Sequence, residues 1–571
     1  MELTSERIRP LEPAPSEPEA PRRPRRRRGP GRRLPGSTVL GVVIALAIVA
    51  PLLVVPLSLI GDGFAFDPIA RTLLPAAVRN SVLLAAGVGA ISLVIGGGLA
   101  VLVSFYDFPG RRWLDWALVL PMAMPSYVLV YVILGQYGLA SPLQSNLLGD
   151  GFRLPGIRSL GGAVLVLSAV LYPYVYLLAR SALVGQSRRS IEAARSLGCG
   201  YGRAIWRVAI PLARPALAAG TALVVMEALA DFGTVNLLGV QALTSSVYRV
   251  WNGGFDESAG LQLASVLVGL ALVLLLVERV LRGRARYHQA VGRGDAVVPR
   301  RLRGWRGWLA ALPGIVLLLV VFVLPVAQLV AWSLETAAEG GLGVDLRTAI
   351  TNTLLVATLA TLAAVVTGTI VAYGLRARST RLGRVSARLA TIGYAIPGTV
   401  VAVAVYVPLV WIDRHVVTAA NDALGWSVGL LFTGTVLGLV LAYLVRFHAL
   451  SFFSVESRMT RINPNLDDAA RSLGADHTRV LADVHLPLLR PGIVTAALLV
   501  LVDVMKELPV TALLRPLGRD TLAITVWEAT KDSRIDVAAL PALLTVLVGL
   551  VPVIVLVRLR HHEGGAAGPL P

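Results

Sequence analysis

The stretch RSIEAARSLG at residues 189–198 recurs as NLDDAARSLG at residues 465–474, and this repetition decides how the chain is read. In the first copy Glu192-Ala193-Ala194 is followed by Gly198 and then by Val208, Ile210 and Pro211. In the second, Asp468-Ala469-Ala470 is followed by Gly474 and then by Val484, Leu486 and Pro487. The acidic residue precedes its glycine by six positions, and the glycine precedes its proline by thirteen, in both copies. Each stretch predicts a short helix of good helix formers, with its acidic residue in the early turns where the helix dipole favours negative charge. The small alanines allow close approach of another surface. The glycine ends the helix in a turn that other residues adopt poorly. A second amphipathic segment follows (203–210 in the first copy), and a proline then opens the next apolar helix. The expected object is a two-helix foot, present twice.

Outward from the feet the chain is apolar. Its 571 residues are 55% hydrophobic and 15% charged, with a mean hydropathy of +0.71, too little polar surface to cover a soluble protein of this size. Runs such as 39–60, 81–105, 161–179 and 538–556 carry no charge and reach the roughly 18–20 residues that cross a ~30 Å hydrocarbon core. Twelve spans are expected near 37–60, 80–104, 114–135, 161–179, 212–230, 259–278, 307–332, 351–375, 389–411, 428–446, 488–508 and 538–557. The fold class is therefore an all-α polytopic membrane protein of about twelve transmembrane helices, arranged as two parallel six-helix repeats. The first apolar run is too long for a signal-peptide core and lacks a small-residue cleavage site, so it is expected to remain as a span.

Arginines give the orientation. Of 53 basic residues only Lys506 and Lys531 are lysines; segment 279–306 holds nine arginines and 376–388 holds five, whereas 61–79 and 333–350 mix acids with few arginines. A basic excess in short loops marks the cytoplasmic side, so both termini are expected inside and the net charge of +19 does not indicate nucleic acid. The expected organisation is a disordered basic cytoplasmic tail (1–36), a first half (37–281, foot loop 180–211), a basic cytoplasmic linker (282–306), a second half (307–558, foot loop 446–487) and a cytoplasmic tail (559–571). An even number of spans per half makes the repeats parallel rather than inverted. Further self-similarity supports the duplication: LPMAMPSYV at 120–128 aligns with IGYAIPGTV at 392–400, and Asn80-Ser81 with Asn352-Thr353. The single cysteine, Cys199, excludes an internal disulfide framework.

Ionisable residues inside spans mark function. Glu227 and Asp231 in span five, and Asp503, Lys506 and Glu507 in span eleven, are the candidate translocation pathway. The repeat offset pairs Glu227 with Asp503 and Asp231 with Glu507, and the i, i+4 spacing puts each pair on one helix face. Glu227 should lie about 22 Å into its span, toward the outer side. Four carboxylates facing one another are suited to transient contact with a hard cation at Glu227, Asp231, Asp503 and Glu507. The alternative is that they cap helices at the outer interface, with Lys506 neutralising an acidic neighbour.

The paired loops resemble the EAA motif of bacterial ABC-importer permeases, whose pattern is EAA, three residues, G, nine residues, then I-x-L-P. Here Asp468 replaces the usual glutamate, Val208 and Val484 replace isoleucine, and Ile210 replaces leucine. The resemblance implies that Glu192, Ala193, Ala194 and Gly198, with Asp468, Ala469, Ala470 and Gly474, contact an ATP-binding subunit. No G-x-x-x-x-G-K-[ST] loop occurs, since Lys506 precedes Glu507 and Lys531 precedes Asp532. The chain is therefore expected to bind no cofactor and catalyse nothing itself, with ATP and Mg used by a separate subunit. MEALADFGTVNLLGV (226–240) and VDVMKELPVTALLRPLGRDTLAITVWE (502–528) resemble the ferric-iron subgroup of fused permeases. That subgroup implies a homodimeric ATPase, a periplasmic or lipid-anchored binding protein and a bacterial inner-membrane location. Thiamine and polyamine importers share the architecture, and a proton-coupled secondary transporter remains the alternative from another class.

Overall fold

The computed structural model describes residues 36–61, 66–136, 156–184, 188–254, 257–282, 299–338, 346–377, 380–425 and 427–565. The expected tail 1–36 (apart from Gly36) and most of the linker (283–298) lie outside them. Among the described residues eleven helices are long and apolar enough to cross a membrane, or twelve if one bent pair counts as a single span. The one sheet among the described residues is a two-residue parallel pairing of Tyr106-Asp107 with Arg300-Arg301.

In chain order the spans are Gly36–Gly61 (one), Pro68–Phe105 (two), Arg111–Ala123 with Ser126–Gln136 (three), Leu160–Val184 (four), Ile210–Ala230 (five) and Glu257–Arg282 (six). The second half repeats them as Trp305–Ala338 (seven), Leu346–Ala377 (eight), Gly398–Ile412 continuing to Leu424 (nine), Val436–Met459 (ten), Leu486–Met505 (eleven) and Ile535–Gly565 (twelve).

Several boundaries correct the sequence reading. Span two begins near residue 68 rather than 80, because Asp67 caps it by accepting from Ile69 N and proline occupies its first turn. Span four runs to Val184 and span ten from Val436 to Met459, so the foot loops begin later than 180 and 446. Span twelve continues through Gly565, so 559–565 is helix rather than tail. Span three is not one helix: its two parts meet at 87°. Pro125 causes the break, pushing Met124 into extended backbone (φ −89°, ψ 118°), and in the second half Pro397 does the same to Ile396 (φ −88°, ψ 135°).

The two halves of the sequence are not the two packing units. One buried core joins spans two to five with spans seven and twelve; the other joins spans eight to eleven with spans one and six. Each half thus lends its first and last helices to its counterpart. Thr38 in span one donates to the Gly374 carbonyl in span eight at 3.0 Å, and a Cβ on Gly41 would touch the Ile370 carbonyl at 3.4 Å.

Close helix contact is also duplicated. A Cβ on Gly96 would meet the Tyr172 carbonyl at 2.6 Å, and one on Gly368, its repeat equivalent, would meet Ser451 Oγ at 2.4 Å. Spans two and four, and eight and ten, therefore pack backbone to backbone, as small residues permit in membranes. Gly96→Val should destabilise the chain by about 1–3 kcal/mol through overpacking. A lowered thermal midpoint in detergent, with Gly98→Val (open space around its Cβ position) near the parent, would register it.

Candidate functional site

The first foot is a helix over Arg188–Ser196 followed by a short helix at Tyr201–Ala204; the second is Pro464–Ser472 followed by His477–Arg479. Gly198 and Gly474 take φ of +84° and +85°, the left-handed region that glycine occupies without penalty. Each ends its helix in a Schellman turn. In the first, Cys199 N donates to Ala194 O (3.1 Å) and Gly198 N to Arg195 O (3.0 Å); in the second, Ala475 N donates to Ala470 O and Gly474 N to Arg471 O, both at 3.0 Å. The alanines Ala194 and Ala470 thus supply the carbonyls that close the turns.

Glu192, Ala193, Asp468 and Ala469 are exposed, and Ala194 and Ala470 half-buried. Beside each glycine stands a leucine facing outward, Leu197 at 86% and Leu473 at 89% exposure. The segment after each glycine leads, as expected, to a span with a proline (Pro211 or Pro487) in its first turn, but with no break between them. It runs into span five or eleven through one π-helical turn, Ile205–Ala209 or Val480–His485, because Pro211 and Pro487 have no N–H to donate back. The second segment of each foot is therefore continuous with its span, and the first helix folds back on it at the glycine.

The feet are held differently. Tyr201 donates to the Phe105 carbonyl at 2.9 Å, with the guanidinium carbons of Arg195 and Arg300 at 5.9 and 6.0 Å from its ring. Arg300 comes from the linker strand. In the second foot Asp467 is buried, ion-paired to Arg376 (2.9 Å) and hydrogen-bonded to His485 (3.0 Å). Burial alone would raise the Asp467 carboxyl, but the hydrogen bond and charge of Arg376, then those of His485, outweigh it and hold it below the ordinary carboxylate value.

At the ends of spans five and eleven away from the feet, a cavity of about 250 Å³ is lined by Glu227, Asp231, Asp503, Lys506 and Glu507, all five expected pathway residues. Only Glu227 and Asp503 lie on the helices: span five stops at Ala230 and span eleven at Met505. The expected shared helix face is thus corrected, since Asp231 and Glu507 sit in the breaks beyond. There each caps a short helix, Asp231 accepting from Thr234 N (2.9 Å) and Glu507 from Val510 N (3.3 Å).

Capping and cavity lining coexist, so the two readings of these residues merge. Asp231 also accepts from Ser126 (2.5 Å), Asp503 pairs with Lys506 (3.1 Å) and Glu507 with Arg446 (3.3 Å). The Glu227 side chain makes neither a hydrogen bond nor an ion pair among the described residues, its backbone carbonyl accepting from Asp231 N at 2.9 Å. Tyr127, Tyr174 and Tyr394 add phenol oxygens to the lining. Among the described residues no three His, Cys, Asp or Glu side chains converge as a metal cage.

Arg446 was missed by the sequence reading, which placed it at the end of span ten; with that span running to Met459 it falls near the middle and reaches the Ile396 carbonyl at 2.9 Å.

The breaks continue into helices the sequence reading left in outer loops: Gly233–Leu237 and Leu243–Gly254 after span five, Pro509–Leu514 and Leu522–Lys531 after span eleven. The repeated dipeptides explain their placement. Ser81 Oγ accepts from Leu243 N and Thr353 Oγ1 from Leu522 N, both at 2.9 Å. Asn80 donates to Gln241 O (3.0 Å) and Asn352 to Asp520 O (3.1 Å). Span two caps in trans the helix that its own half inserts toward the seam. At the seam Phe232 and Tyr248 of the first half pack on Trp527 of the second, with ring centroids 5.6 and 5.5 Å away.

Two bundles enclosing a polar cavity between them, each with a foot at the far end of a cavity-lining helix, define a membrane transport subunit. The chain matches the family described as "Binding-protein-dependent transport system inner membrane component" twice, over residues 92–287 and 364–562, and belongs to that family. It is a permease of a binding-protein-dependent ABC importer, with both permease halves in one chain.

It is similar to the "Fe(3+)-transport system permease protein FbpB 2" of Haemophilus influenzae, 24% identical over 475 residues covering 82% of this chain and 86% of that one. The "Putative ferric transport system permease protein FbpB 1" of the same organism is 23% identical, covering 83% and 74%. The "Molybdenum transport system permease protein ModB" of Escherichia coli is 30% identical over 204 residues, 34% of this chain and 89% of that one.

Proposed function

We propose that this permease imports ferric iron, delivered from outside by a periplasmic or lipid-anchored binding protein and driven by a homodimeric ATPase bound to the two feet. The paired feet carry the coupling half of the reading. Glu192, Ala193, Ala194 and Gly198, with Asp468, Ala469, Ala470 and Gly474, form the docking contacts, and the chain itself binds no ATP, Mg or other cofactor. Full-length similarity to two ferric permeases supports the cargo, as does the cavity chemistry. Its lining carries four carboxylates against two cations, plus phenols, a hard-oxygen set suited to a trivalent cation and unsuited to an oxyanion such as molybdate.

ATP closure of the motor draws the feet together, and spans five and eleven carry that movement to the cavity, so that the site is exposed alternately to the two sides. Both termini lie in the cytoplasm, consistent with the arginine-rich inner segments.

Purification of the chain with its ATPase subunit, reconstitution and uptake of binding-protein-delivered ferric ion tests the reading. Replacing the outward leucines (Leu197→Asp with Leu473→Asp) should weaken retention of the ATPase by about 2 kcal/mol per site. Full retention would remove the feet as the docking surface. Uptake of thiamine, a polyamine or molybdate in place of iron would overturn the cargo alone. Proton-coupled uptake by the chain without an ATPase would overturn the mechanism.

A further inference from the structure

The two feet are duplicated in backbone but not in how they are joined to the membrane. Asp467 lies on the second foot, Arg376 at the cytoplasmic end of span eight and His485 at the root of span eleven. Arg376 donates to Asp467 through Nε (2.9 Å) and Nη2 (3.4 Å), and through Nη1 to the Met459 and Ile462 carbonyls (3.2 and 3.0 Å) that end span ten. His485 Nε2 meets the other Asp467 oxygen at 3.0 Å. One buried carboxylate thus bonds the foot to two membrane helices, and its arginine partner grips a third.

The repeat places Ile191, Ser104 and Ala209 at the corresponding positions of the first half, side chains that form no ion pair. Ile191 is buried against the apolar core instead. The first half's own cytoplasmic cluster, Asp115 with Arg180 and Tyr176, joins span three to span four and leaves the foot out.

A buried, hydrogen-bonded charged contact has a narrow good geometry and loses strongly when it is pulled apart, whereas an apolar contact fixes no hydrogen-bond direction between the elements it joins. Span eleven runs unbroken from the triad to the cavity, ending beside Lys506 and Glu507. We infer that Asp467, Arg376 and His485 are positioning residues that lock the second foot to spans eight, ten and eleven, making the second half the stiff drive of the cavity and the first half the compliant one. This inference rests on the reading of residues 464–472 as a motor-docking foot.

The test uses the whole complex, with Cys199, the chain's sole cysteine, replaced by serine. A reporter thiol is placed at the cavity end of span eleven (Met505→Cys) or of span five (Ala230→Cys). Thiol labelling is compared with and without ATP and vanadate. In the parent both reporters should change on trapping. The first-half copy, Asp467→Ile with Arg376→Ser and His485→Ala, leaves no orphan buried charge, so loss of the fold does not obscure the result. It should retain the ATPase, keep the Ala230 response and cut the Met505 response about fivefold. Arg376→Lys alone, which keeps a cation facing Asp467, should lose only part of the Met505 response.

Equal responses at both reporters in the triple variant would overturn the inference. So would loss of the ATPase from that variant, since the triad would then serve docking. If neither reporter responds in the parent, the docking-foot reading itself fails.

Discussion

Expressed alone, residues 1–290 should fail to accumulate as a folded protein, and so should residues 291–571, whereas the two expressed together should yield a complex with the transport activity of the intact chain. The cause is the exchange of helices. Spans two to five complete their core with spans seven and twelve, and spans eight to eleven with spans one and six. A separated first half loses the partner for one face of the Gly36–Gly61 helix, including the Gly41 and Thr38 contacts to span eight, and exposes the seam helix carrying Tyr248.

The break itself falls in 283–298, and on the first-half side of the linker the link to span seven is the short pairing of Tyr106-Asp107 with Arg300-Arg301. Covalent connection then contributes mainly effective concentration, which co-insertion in one membrane replaces. Co-purification of an untagged half with a tagged one, and trypsin resistance of the pair, are the measurements. A first half that is monodisperse and protease-resistant by itself would contradict the exchanged packing.

The second large effect concerns Arg446. Arg446→Met should lower stability by about 3–5 kcal/mol, because it leaves the Glu507 carboxylate buried without its counter-charge. Both side chains are largely shielded, at 13% and 7% exposure, and Arg446 also holds the Ile396 carbonyl at the break before span nine. Adding Glu507→Gln should restore most of the thermal midpoint while transport stays low. Non-additivity is the signature: residues in one ion pair couple. If the double variant were as unstable as the sum of the singles, the pair would not be the relevant contact. Gly398 belongs to the same arrangement, since a Cβ there would stand 2.7 Å from Glu507 Oε1.

Much of this was legible in the sequence. Length and hydropathy marked the spans, and the two matched loops marked the feet and their glycine turns, because both depend on local spacing. The Asn-Ser and Asn-Thr dipeptides were visible as a repeat, but their trans-capping role was not, since Leu243 and Leu522 lie far along the chain. The bend at Met124-Pro125 had its signal in the repeated proline of the two aligned stretches. Hydropathy averages across such a break and does not register it.

Gly233–Leu237 and Pro509–Leu514, after Asp231 and Glu507, were hidden because helices of one or two turns buried at the seam have too little length to show a period, and Leu243–Gly254 and Leu522–Lys531 are too short to register as spans. Asp467 was overlooked beside Asp468, whose place in the motif drew the reading. Arg376 was counted only as a marker of the inner face. Which helices exchange between halves is a matter of tertiary packing that no single-sequence period encodes.

Both cavity cations, Arg446 and Lys506, come from the second half, and the repeat places Val170 and Ala230 opposite them. A pore built from two identical subunits must change its lining charge two units at a time, because every substitution appears twice. Joining the subunits in one polypeptide removes that parity rule. Here it leaves the carboxylates twinned and the cations on a single wall, so that one side of the cavity is purely acidic and the other sets each carboxylate against a cation rather than forming a uniform ring.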